Sequence, residues 1–143
     1  MYFLRRAQVV VIGTALAVIS TPAVLADDVS GAERLLCASI EATRCDLDGC
    51  VTSDPVLWNI PQFIVVDLNE KMLRTTEASG ENRTTPAEVL RREDGVIVIQ
   101  GMELGRAFSI VVSEDLGSMS ASIAAEDLTV SVFGACTPLQ TRR

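Results

Sequence analysis

The sequence predicts a mainly β fold, a curved antiparallel meander or small barrel of six or seven strands with an N-terminal helix or arm packed across it. Three observations carry that prediction. From Phe63 onward, apolar and polar residues alternate with a period of two, the pattern of half-buried strands. The connections between these runs are short and rich in turn formers, which suits antiparallel neighbours and not parallel ones. Four cysteines in so small a chain read as a disulfide framework.

The chain has 143 residues, and residues 1–26 read as a leader. Arg5 and Arg6 form a charged start, Val9 to Ile19 is apolar apart from Gly13 and Thr14, and Val24-Leu25-Ala26 supplies a cleavage site before Asp27. The apolar run is about 11 residues, short of the roughly 20 needed to span a bilayer. Ala7 and Gln8 do not extend Arg5-Arg6 into a twin-arginine signal. The first cysteine, Cys37, is far from the cleavage site, which argues against a lipid anchor. Residues 27–143 are then expected to form a single disulfide-stapled β-rich domain, periplasmic or secreted, with no membrane span after cleavage.

Along that domain, Ser30-Gly31-Ala32-Glu33 fits a capping box, and Leu36 and Ile40 follow at helical spacing, so a helix over roughly 31–43 is expected. The competing reading is a strand, because CASIEAT also alternates. Residues 45–60, with Gly49 and Pro55, read as an irregular connection. QFIVVDL is a β-branched strand, Asn69-Glu70 a turn, KMLRTTE a weaker strand and 78–85 a polar loop. Pro86 could open a short helix. The preferred reading instead pairs EVLRRE with VIVIQGM across Asp94-Gly95, a type I′ hairpin signal. RAFSIVV puts Phe108, Ile110 and Val112 on one face. MSASIA does the same with Met119, Ala121 and Ile123, and LTVSVF with Leu128, Val130 and Val132. Serine and threonine fill the opposite faces, so one side of the sheet meets water. Gly101, Gly105 and Gly134 read as bulge or turn positions.

Two disulfides from Cys37, Cys45, Cys50 and Cys136 allow three connectivities. Whether 31–43 is helical or extended, Cys37 and Cys45 are too far apart for the roughly 7 Å limit between bonded Cα atoms. That leaves Cys37–Cys136 with Cys45–Cys50 as the preferred pairing, and 37–50 with 45–136 as the alternative. The run CDLDGC invites sharper readings. Four residues separate Cys45 from Cys50, not the two of a redox motif. The chain has no histidine for a zinc set. Counted from Asp46, calcium-loop positions 5, 6 and 12 fall on Cys50, Val51 and Leu57. A stapled turn is the reading that survives, and no metal or cofactor is expected.

Residues 27–143 carry ten basic against 19 acidic residues, a net charge of −9. Such a chain repels nucleic-acid phosphates, whereas a cationic protein or an envelope component could dock on it. The lack of histidine excludes imidazole-based nucleophilic mechanisms. Glu103, Glu114, Asp115, Glu126 and Asp127 fall at predicted turns, where charge is ordinarily solvated, so no catalytic residue is assigned. Trp58, the only tryptophan, either covers an open end of the sheet or anchors a binding surface.

The layout of LLCASIEATRCDLDGC, IVIQGMELGRAFSIVV and VFGACTP resembles a class of small uncharacterised exported four-cysteine proteins of proteobacteria. In that class three cysteines lie near the mature N-terminus and a fourth near the end. The resemblance implies a β-rich secreted domain and carries over no catalytic residue. In size and shape the chain is also similar to periplasmic lysozyme inhibitors, which are small disulfide-stapled β-barrels. The expected function is a non-enzymatic exported binding or interaction domain. The alternatives are a carrier of a small apolar ligand in a barrel interior and a carboxylate-dependent glycan hydrolase.

Overall fold

The structure, a computed structural model, describes residues 27–80 and 82–140. The leader expected over 1–26 lies outside the described residues. Ten strands form one antiparallel sheet: β1 Arg34–Asp46, β2 Gly49–Ser53, β3 Phe63–Asp67, β4 Met72–Thr75, β5 Thr84–Pro86, β6 Val89–Glu93, β7 Val96–Glu103, β8 Arg106–Ser113, β9 Ser118–Ala124 and β10 Thr129–Pro138. Nine of them follow the order β5-β4-β3-β1-β10-β9-β8-β7-β6, and β2 pairs with β1 off that path. The sheet curls into a half-barrel whose outermost strands, β5 and β6, are consecutive in the chain. Between them the Ala87 amide donates to the Lys71 carbonyl and the Glu88 amide to the Gln100 carbonyl, both at 2.8 Å, so one short segment is tied to both margins of the sheet.

The strand count exceeds the six or seven expected, and two further corrections explain why. The N-terminal segment is not a helix. Gly31 adopts φ +73, which ends any helix Ser30 could cap, and the Ser30 amide bonds the Asp28 carboxylate instead. From Arg34 the chain is the central strand β1, paired along one edge with β10. Along the other edge it pairs with β3 in its first half and β2 in its second. Leu35 and Cys37 point into the core, so the alternation of CASIEAT prevails over the helical spacing. The second correction concerns 45–60, which is a β-hairpin followed by a 3₁₀ turn, Pro55–Trp58, capped by the Asp54 carboxylate on the Val56 amide at 2.9 Å. A short strand, β5, also begins inside the polar loop expected over 78–85.

Elsewhere alternation and turn chemistry build the fold as expected. β6 and β7 pair across Asp94 (φ 52) and Gly95 (φ 77), both left-handed as a type I′ turn requires, so Pro86 opens no helix. Ile110, Val112, Met119, Val130 and Val132 are buried, while Ser120, Ser122 and Ser131 face solvent. The N-terminal residues do form an arm. The Val29 amide donates to the Glu114 carbonyl at 2.7 Å, and its side chain is buried in the main cluster beside Val112 and Ile97. Arg92 clamps the arm through the Ala32 carbonyl and pairs with Glu114 at 2.9 Å.

β1 bulges between Ser39 and Glu41. Gly134 of β10 lies opposite, where a Cβ would sit 2.0 Å from the Ala38 carbonyl oxygen. Only glycine allows so close an approach. Cys37 and Cys136 are partners in that same pairing and form a disulfide in the core. Cys45 and Cys50 form the second across the β1–β2 hairpin. Two disulfides indicate an oxidising, extracellular-type environment. Among the described residues no helix is long and apolar enough to cross a membrane.

Candidate functional site

The arm is tied to Glu114, just past the end of β8. A cavity of about 110 Å³ lies in the interior, lined by residues of the β7–β8 turn and by Asn59 to Pro61. Members of all three inward triads read from sequence meet here. Phe108 and Ile110 of β8, Met119, Ala121 and Ile123 of β9 and Val132 of β10 form the apolar lining, with Ile64 and Leu73 from the neighbouring strands. Space survives among large side chains because Ala121 offers only a methyl group and Ser39, at the bulge, only a hydroxymethyl.

Polar groups gather beside this lining. Thr85 donates its hydroxyl proton to Glu103 Oε1 at 2.6 Å, and Arg83 donates to Glu103 Oε2 at 3.2 Å and to the Asn59 carbonyl at 3.3 Å. Both carboxylate oxygens of Glu103 are therefore engaged. Arg74 pairs with Glu70 at 2.6 Å. Arg106 donates to the Trp58 carbonyl at 3.4 Å. Glu103 and Arg106 face each other across the β7–β8 turn. At that turn Leu104 has φ 50 and its side chain is 71 % exposed.

Trp58 does not line this cavity. Its side chain packs against Ala42, Ile60, Val130 and Val132, so it covers the sheet beyond the bulge, and its outer side borders a shallow open cleft with Arg44, Asp46 and Val51. The stretch CDLDGC is a stapled turn in which Asp46 accepts from the Asp48 amide at 3.0 Å and pairs with Arg44 at 3.1 Å. Among the described residues no group of three or more His, Cys, Asp and Glu side chains is placed to hold a metal ion.

Three of the carboxylates expected to be merely solvated at turns are engaged instead, Glu103 by Arg83 and Thr85, Glu114 by Arg92, and Asp115 by the Ser113 hydroxyl. Sequence reasoning placed Ala121 on an inward face and did not single out Arg83 or Arg106 as site residues. Their roles come from strands remote in sequence, and no local pattern marks them. The only usable signal was Leu104-Gly105, an apolar residue where a tight turn favours Asn or Gly. Searches against protein-family models, curated proteins and solved structures find no match.

Proposed function

We propose that the protein is an exported, periplasmic or secreted binding domain that takes a small apolar group into the interior of its half-barrel. The observation that supports this reading is the apolar cavity among Phe108, Ile110, Met119, Ala121 and Ile123, a place where a well-packed core would leave no room. A dry apolar cavity of about 150 Å³ accepts benzene, so the group held is about that size or smaller, the tip of a larger envelope component or a free small molecule. Leu104 adds support. A left-handed backbone position at a tight turn costs a leucine about 1–2 kcal/mol that asparagine or glycine would largely avoid, and the same residue exposes an apolar side chain beside the cavity. The lining holds a single carboxylate, Glu103, and glycan hydrolysis calls for a pair, so the binding reading is preferred over the hydrolytic one.

The test is a titration of the isotopically labelled oxidised protein with neutral 4-methylpentan-1-ol, followed by amide and methyl NMR. Saturable shifts centred on Ile110, Met119, Ala121 and Ile123, and lost in Ala121→Leu, are expected. Shifts that stay linear and scattered over the surface up to the solubility limit would remove the reading.

A further inference from the structure

Resting on the binding reading above, we propose that the ligand is an amphipathic anion, a carboxylate with a short branched or ring-shaped tail. Its head docks on the Arg106 guanidinium and its tail fills the cavity. The chain as a whole is acidic, with a net charge of −7, yet the cavity lining reverses that sign: Arg74, Arg83 and Arg106 against Glu103 alone. Two of these arginines have carboxylate partners, Glu70 for Arg74 and Glu103 for Arg83. Arg106 has none within 4.0 Å among the described residues, and the hydrogen bond it makes, to the Trp58 carbonyl, is long at 3.4 Å. A guanidinium carries five N–H donors in a planar fork that matches a carboxylate. Arg106 is half-buried, so the fork is partly shielded from competing water, and an ion pair there gains more than one on the open surface.

The direction of the tail follows from the strand. Arg106, Phe108 and Ile110 occupy alternate positions of β8 and all three line the cavity. The rise of about 3.3 Å per residue places Ile110 about 13 Å below Arg106. A head held at Arg106 therefore leads a short tail past the Phe108 ring towards Ile110 and Met119. Glu103 is not paired with the fork: its oxygens accept from Thr85 and Arg83, and it lies beyond 4.0 Å from the Arg106 guanidinium. It is instead a positioning residue that draws Arg83 to itself.

Paired titrations separate this inference from the reading beneath it. Sodium 4-methylpentanoate and 4-methylpentan-1-ol share a tail and differ in head charge. The acid is expected to bind the oxidised protein at neutral pH about tenfold more tightly than the alcohol. Arg106→Gln should abolish the preference by lowering acid affinity to that of the alcohol, whereas Arg106→Lys should keep part of it. Retained dispersion of the NMR spectrum shows that each variant folds. Equal affinities for acid and alcohol in the unaltered protein would overturn the anion proposal while leaving the apolar site intact, as would a preference that survives in Arg106→Gln. Binding of neither probe would overturn both.

Discussion

Removing the two disulfides separately should cost very different amounts. Cys37 and Cys136 are 99 residues apart in sequence, and Cys45 and Cys50 are 5 apart. In the chain-entropy account, closing a loop of n residues removes about 2.1 + 1.5R ln n cal/mol/K from the unfolded ensemble, which is about 4.7 kcal/mol at 25 °C for the long loop and about 2.2 for the short one. Position widens the gap. Cys37 and Cys136 are 0 % and 2 % exposed, so truncating them to alanine also leaves unfilled space in the core, whereas Cys50 is exposed and leaves none. The measurement is urea unfolding of Cys37→Ala/Cys136→Ala beside Cys45→Ala/Cys50→Ala, with slopes compared so that midpoint shifts report stability. The long-loop variant should be less stable than the short-loop variant by at least about 2.5 kcal/mol. Against a typical total of about 5–15 kcal/mol, that loss brings the domain close to unfolding. Equal losses, or a greater loss from the hairpin disulfide, would refute the reasoning.

Substitutions at three further positions probe the backbone. Gly134→Ala drives a methyl group into the Ala38 carbonyl at the β1 bulge, and should cost about 3 kcal/mol or prevent folding, read by thermal melting. Leu104→Asn relieves the left-handed position and should raise stability by about 1 kcal/mol, while weakening binding of the alcohol probe. Gain of stability with undiminished binding would show that Leu104 has no part in the site. Asp94→Ala should destabilise by about 1 kcal/mol because alanine tolerates the left-handed turn poorly, while Asp94→Asn should be neutral in the same chemical-denaturation assay.

Much of the C-terminal half was legible because its signals are local. The Asp94-Gly95 turn specifies its hairpin, and the triads at 108–112, 119–123 and 128–132 declare their inward face by alternation alone. Distance limits removed one of the three cysteine pairings, since neither a helix nor a strand brings Cys37 to Cys45, and the structure decides between the other two in favour of the preferred one. The N-terminal half was harder for a stated reason. Ser30 to Glu33 satisfies a helical cap locally, and pairing with β2, β3 and the distant β10 makes 34–46 a strand. β2 and β5 span five and three residues, too short to show a period, which is why the strand count came out low. Of the candidate site, the apolar lining lay in the triads, but the charged groups did not. Arg83, Glu103 and Arg106 gain their meaning from the curl that brings Asn59, Thr85 and the β7–β8 turn together.

The pairing of β1 with β10 also governs the order in which the molecule can form. The strand at the centre of the sheet is the first made, and its partner along one whole edge is the last. Nothing synthesised in between takes the place of β10 on that edge, so the centre stays open there until β10 has been made. Contacts this distant in sequence fold slowly, since loop closure precedes any reward. A chain stopped before Thr129 would keep its β6–β9 hairpins and still lack both the partner of its central strand and the thiol that Cys37 needs. The first and last strands of the sheet are thus bound to one another's fate, and the arrival of β10 is the step that licenses the fold.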